Sequence, residues 1–162
     1  MALSTQHNLA LFLAIGSILR GWARSALGST VEGISCIEAG IRDYLATGSM
    51  LAMPYFLGLK AEALYLAYRT SEALEAIEDA EALAERSEER WWCAELHRLR
   101  AVFLAAIGGE EDLIEASFCA AIRTAKEQKS ISLEKRAEAT YAECRRQTTS
   151  AAGGRGFRLP LW

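Results

Sequence analysis

The residues of this chain that could do chemistry are four cysteines, two histidines and several closely spaced acids. His97 stands in the run Glu95-Leu96-His97-Arg98-Leu99-Arg100, where an imidazole beside an acid could act as a general base. A metal-binding pair on a helix needs its second ligand three or four residues away, and only Cys93 occupies such a position. One Cys–His pair does not hold a metal ion, and Cys36, Cys93, Cys119 and Cys144 are too far apart to form a Cys-x-x-Cys motif. Glu88–Glu89 and Glu110–Glu111–Asp112 resemble paired carboxylates, which can divide acid and base roles in a pocket. They fall at helix junctions, however, where acids stabilise helix N-termini. Ser/His/Asp catalysis lacks a strand or nucleophile elbow to present the serine, and the second histidine, His7, stands close to the N-terminus. The expectation is no catalytic residue, no cofactor and no metal.

The composition sets the class. The chain has 162 residues, of which 51% are hydrophobic and 24% charged, so it can bury a core. Its net charge of −3 and lack of a concentrated basic surface argue against nucleic acid, whose affinity depends on basic groups displacing counterions. Leu9 to Leu19 is an uncharged run, but a bilayer span needs about 20 apolar residues. No Lys or Arg precedes it, as a signal peptide would require. The run reads as a buried helix and not a membrane segment. The cysteines read as small buried hydrophobes of a cytoplasmic protein.

A periodic arrangement of apolar residues underlies these motifs. Leu19, Leu59 and Leu99 recur at a spacing of 40, as do Ala23, Ala63 and Phe103, then Leu27, Ala67 and Ile107, then Ile34, Leu74 and Ile114. One residue is gained in the third unit, after which Gly40 and Ala80 match Ala121, and Ile37 and Ile77 match Phe118. Within each unit the first positions are four apart, which places them on one stripe of a helix. Breaks fall at Gly28–Ser29, where Ser29-x-x-Glu32 reads as a capping box, at Tyr68–Glu72 with Thr70 or Ser71 as N-cap, and at Gly108–Gly109. Pro54 suits the first turn of a helix. The spacing predicts seven helices, at about 5–27, 30–47, 53–68, 71–87, 91–107, 111–128 and 132–147. They group into units of about 5–48, 52–88 and 91–129 with a partial unit at 131–147, giving one domain over 1–147 and a flexible tail at 148–162.

Within each unit the pattern resembles the tetratricopeptide repeat, with a small residue at the hairpin turn, another twelve positions on and an aromatic four beyond. Gly28, Gly40 and Tyr44 match all three, Ala80 matches one, and Gly108 and Ala121 match two with an insertion. The strings ILRGWARSALG, YLATGSMLAMPYFLGLKAEALY and ALAERSEERWWCAELHRLRAVFLAAIGG look like the C-terminal repeat region of large bacterial regulators. Those proteins join an adenylate/guanylate cyclase or transcriptional output domain to a nucleotide-binding ATPase module and then to such repeats. The resemblance covers residues from about 9 to 146. It implies an all-α, right-handed solenoid of about three helix pairs plus one extra helix. No Gly-Lys-Ser/Thr phosphate loop occurs, so the chain looks like an orphaned or truncated repeat module without the catalytic functions.

A solenoid lines its concave face with the first helix of each pair. Removing the core stripe leaves Tyr55, Glu62, Tyr65, Arg69, Trp91, Glu95 and Arg98 as the expected contact set for a protein or peptide partner, since Tyr, Trp and Arg favour interfaces. Trp92 shares the core stripe with Leu96, Leu99 and Phe103 and reads as structural. The functional expectation is a non-catalytic interaction scaffold of a regulatory system. The alternative is a small-ligand sensor with an apolar pocket between repeats. The first helix is apolar on nearly every side, and Leu9, Phe12, Ile15 and Leu19 are expected to pair two copies into a homodimer.

Overall fold

A computed structural model describes residues 2–150, with the side chains of residues 9–148. His7 and the expected tail with Phe157, Leu159, Leu161 and Trp162 lie outside these side chains. The described residues form α1 (Ala2–Ala26), α2 (Thr30–Ala46), α3 (Met53–Leu66), α4 (Thr70–Ser87), a 3-10 turn at Arg90–Trp92, α5 (Cys93–Ala106), α6 (Glu111–Glu127) and α7 (Ile131–Ser150). The protein is all-helical, with no strand among the described residues. It divides into two compact units, Met1–Leu83 and Ala84–Trp162, with the boundary inside α4. The last helix runs three residues beyond its expected end at 147.

The 40-residue period appears in the backbone at the helix ends. The second residue after each first helix is left-handed, at Gly28 (φ 98), Tyr68 (φ 61) and Gly108 (φ 70), and a second left-handed set follows at Gly48, Glu88 and Lys129. The first set is spaced by 40 and 40, the second by 40 and 41, which places the gained residue in the third unit. A left-handed residue lets its own N–H and the following one turn back and satisfy carbonyls that the helix end leaves unpaired. Gly28 N–H donates to the Ser25 carbonyl at 3.0 Å and Ser29 N–H to Arg24 at 2.9 Å. The same pair of bonds recurs at Tyr68/Arg69, Gly108/Gly109 and Lys129/Ser130. These ends stop each helix and fix the reversal.

In unit 1, α1 and α2 pack together in antiparallel fashion through small residues. A Cβ added to Gly21 would lie 2.6 Å from the Gly33 carbonyl oxygen, and one added to Gly40 would lie 2.7 Å from Ile18 Cγ1 and 3.0 Å from the Ala14 carbonyl oxygen. Helix α3 packs on both. Tyr44 anchors the connection: its hydroxyl donates to the Leu51 carbonyl at 2.6 Å, and its ring meets Phe56 edge-on at 5.0 Å. Pro54 stands in the first turn of α3, where no helical N–H is lost. In unit 2, α5 packs against α6 and α7, and α6 against α7.

Burial follows the second-helix register at two of its three positions: Ile37, Ile77 and Phe118 are fully buried, as are Ala80 and Ala121, and Gly40 is buried too, but of Ile34, Leu74 and Ile114 only Ile34 is buried and the other two are half-buried. The first-helix register holds only in part. Leu59, Leu99, Ala63 and Phe103 are buried, but their counterparts Leu19 and Ala23 on α1 are exposed. The run Leu9–Leu19 is therefore not a buried helix. Only Ala14 and Ile18 within it are buried, while Leu9, Phe12 and Leu13 are exposed. By length and composition Leu9–Ala26 is apolar enough to cross a membrane.

Three local expectations are also corrected. Ser29 precedes α2, but its side chain makes no cap bond; its backbone, at φ −86 and ψ 63, lies outside the extended region that an N-cap residue adopts. Helix α4 starts at Thr70, so neither Thr70 nor Ser71 stands ahead of it. The 3-10 turn separates Trp92 from the regular phase of α5, leaving it half-buried while Leu96, Leu99 and Phe103 are fully buried.

The left-handed ends carry a stability prediction. Gly28→Ala and Gly108→Ala each place a Cβ in a conformation unfavourable to L-residues and should cost about 1 kcal/mol. Tyr68→Gly relieves that strain at an exposed position and should be neutral or stabilising by up to about 1 kcal/mol. Urea midpoints of the three variants check this; a stabilising Gly28→Ala contradicts it.

Candidate functional site

The expected contact residues fall into three environments. Tyr55, Glu62 and Tyr65 are half-buried on α3. Glu62 Oε2 accepts a 2.6 Å hydrogen bond from Trp22 Nε1 on α1, so a carboxylate and an indole 40 residues apart tie two first helices together. Burial raises the Tyr55 hydroxyl above its ordinary pKa, and the Glu62 charge adds to the effect. Burial likewise raises Tyr65, with a further contribution from Tyr68. Both stay protonated as hydrogen-bonding phenols. Arg69 lies apart from them, in the turn before α4, where Nε and Nη2 donate to the two carboxylate oxygens of Glu72 at 2.7 and 2.5 Å. That hydrogen bonding raises the pKa of Arg69 and lowers that of Glu72. Trp91 is exposed in the 3-10 turn, with its ring 5.4 Å from that of Trp92.

Glu95 and Arg98 are not surface contacts. They are 1% and 2% exposed, and together they form the polar centre of unit 2. Arg98 Nε donates to Glu95 Oε2 at 3.0 Å and its Nη2 to Glu95 Oε1 at 2.7 Å, a bidentate pair within α5. Arg136 Nη1 on α7 donates to the same Oε1 at 3.2 Å. Arg98 Nη1 reaches Thr140 Oγ1 at 3.4 Å, and that hydroxyl donates to the Arg136 carbonyl at 2.8 Å. A solvated helix face would have left these side chains on the outside; α7 closes over them instead. For Arg136 and Thr140 the sequence carries one signal, the step from 95 to 136, which is the 41-residue spacing of the third repeat. Burial works against ionisation of Glu95, but the hydrogen bonds and charges of Arg98 and Arg136 outweigh it and lower its pKa.

Unit 2 also contains a cleft of about 430 Å³. The end of α5 with Gly108 and Gly109, the start of α6 with Glu111, Ile114 and Glu115, and Tyr141, Cys144, Arg145 and Thr148 of α7 line it. The Tyr141 ring stacks on Phe118 at 4.9 Å, its hydroxyl donates to Glu115 Oε1 at 2.8 Å, and the Arg145 guanidinium carbon lies 5.8 Å from its centroid. Burial pushes the Cys144 thiol up, more than a hydrogen bond with Thr148 lowers it, which makes it a poor nucleophile. Cys36 and Cys93 are half-buried, and Cys119 is exposed and not a core residue. Among the described residues no group of three His, Cys, Asp or Glu could hold a metal ion.

These features define a helical protein whose candidate sites are aromatic and charged surfaces and one cleft. No family model matches the chain, and no solved structure matches it. The chain is similar to a protein of Rhizobium meliloti (strain 1021) described as uncharacterized, with 26% identity over 138 residues. The match covers 85% of this chain and 13% of that relative, which is several times longer.

The ionic centre predicts a pH dependence. A carboxylate whose folded pKa is lowered adds stability that is fully present above its unfolded value of about 4.3 and is lost as pH falls through the lower folded value. The urea midpoint should therefore fall steeply below about pH 4.5, and less steeply in Glu95→Gln. Near neutral pH that variant leaves Arg98 buried without its counter-charge and should be less stable by about 3 kcal/mol. Equal slopes in the two proteins would show that Glu95 does not govern the acid transition.

Proposed function

We propose that the chain is a non-catalytic, tetratricopeptide-like scaffold that binds another protein, and that its helix pairs stack as a right-handed solenoid. One observation carries the reading. Left-handed helix ends at Gly28, Tyr68 and Gly108 recur in step with the buried small residues Gly40, Ala80 and Ala121. A unit that alternates helices in this way leaves one face of its first helix for contacts. On α3 that face offers Tyr55 and Tyr65, half-buried phenols that supply area and a hydrogen-bonding group at low entropic cost. Arg69 extends the candidate set within unit 1, Trp91 is a separate candidate on unit 2, and Glu95 and Arg98 leave it.

The similarity to a small part of a much longer bacterial protein is compatible with a repeat module of the kind found in cyclase- and ATPase-linked regulators. Four cysteines outside any disulfide fit a cytoplasmic setting. A second reading, a small-ligand sensor, is favoured by the cleft of unit 2, which combines an apolar floor with Glu111, Glu115 and Arg145.

Affinity capture with the full chain separates the two. On the scaffold reading, Tyr55→Ala with Tyr65→Ala weakens partner binding about tenfold or more while the circular dichroism spectrum is unchanged. A copurifying small molecule in native mass spectra, lost in Tyr141→Ala, together with partner capture indifferent to both tyrosines, would favour the sensor and contradict the scaffold.

A further inference from the structure

Helix α1 carries two apolar stripes on opposite sides. Ala14, Ile18, Gly21 and Ser25 form the buried one, facing α2. Leu9, Phe12, Gly16, Leu19, Ala23 and Ala26 form the other, with successive spacings of three and four residues, and all but the half-exposed Ala26 are exposed. That alternation is the heptad spacing of a seam that packs against another helix. The repeat register agrees: Leu59 and Ala63 on α3 correspond to Leu19 and Ala23, and both are buried. Gly16 departs from the register, because its counterparts are the buried Phe56 and Leu96. No atom lies within 4 Å of where a Cβ would stand on Gly16, so the seam is notched at its middle.

We propose that this seam pairs antiparallel with the same seam of a second copy. Layers of an antiparallel pair join the two kinds of heptad position. Placing Gly16 opposite Leu19 of the second copy also sets Phe12 opposite Ala23 and Leu9 opposite Ala26. Each layer then matches a large residue with a small one, and the two-fold axis repeats every match. The fit of the sequence to its own reversal selects a second copy over an unrelated helix. A bilayer is a poorer occupant, because the buried stripe holds α1 to α2, whose exposed Glu32, Arg42 and Asp43 would have to follow it into lipid. Arg20 and Arg24 on α1 itself are exposed as well.

Light scattering on the full chain at micromolar concentration reads the outcome. The expected mass is that of two chains, reduced to one by Phe12→Glu with an unchanged circular dichroism spectrum. Ala23→Phe sets Phe against Phe and should raise the dimer dissociation constant about tenfold or more, and adding Phe12→Ala should restore it by exchanging large and small within the layer. A single-chain mass overturns the proposal, whether the protein stays in solution or sediments with phosphatidylglycerol vesicles. A dimer indifferent to Phe12→Glu, or one weakened by Ala23→Phe and not rescued by Phe12→Ala, overturns the interface. None of these outcomes depends on the partner reading, which is tested through Tyr55 and Tyr65.

Discussion

The structure depends on how closely the second helix of each unit can pack. Gly40, Ala80 and Ala121 occupy one phase of the repeat and are buried with no side chain beyond Cβ. At Gly40 the reason is visible, since a single carbon would lie 2.9 Å from the Ile18 backbone nitrogen. Protein interiors are packed too densely to absorb such an overlap without shifting backbone. Larger residues one turn earlier, Ile37, Ile77 and Phe118, fill the space beside this contact and are fully buried. Left-handed helix ends at Gly28 and Gly108 make the short reversals that return α2 onto α1 and α6 onto α5.

Polar groups reinforce the period. Trp22 and Glu62 join α1 to α3 across 40 residues, and Glu95 and Arg136 join α5 to α7 across 41. The two joints differ in character. The first is half-buried and uses one charge; the second seats its carboxylate in the interior, where it serves the buried Arg98 and the partly exposed Arg136. A buried ionic group contributes little net stability, but it penalises any arrangement that breaks its pairing. In unit 2 it therefore acts mainly to fix how α7 sits on α5.

Much of the fold was legible in the sequence, because hydrophobic period and turn residues act locally. All seven helices stand within a few residues of their expected positions, and the gained residue in the third unit reappears in the turn spacing. The failures concern side chains whose fate is decided by other elements. Glu95 and Arg98 occupy polar positions on α5, and only α7 arriving above them makes them interior. Their i, i+3 pairing and the 41-residue step to Arg136 were readable, but charged residues are so seldom enclosed that the pattern suggests a surface. Leu19 and Ala23 failed in the opposite sense: they share the register of Leu59 and Ala63 but not their burial. Tyr68, Glu88 and Lys129 show that a left-handed helix end can be imposed on residues that do not favour it, which hides those turns from a search for glycine.

The most direct test of the repeat is to enlarge its small positions. Urea unfolding midpoints of Ala80→Leu and Ala121→Leu should both fall, by the equivalent of about 1–3 kcal/mol each for overpacking a closed contact. Ala82→Leu, at an exposed position two residues along α4, should leave the midpoint unchanged within about 0.5 kcal/mol. If Ala80→Leu and Ala121→Leu behave like Ala82→Leu, the close helix contact does not recur, and the account of this chain as a repeat fails.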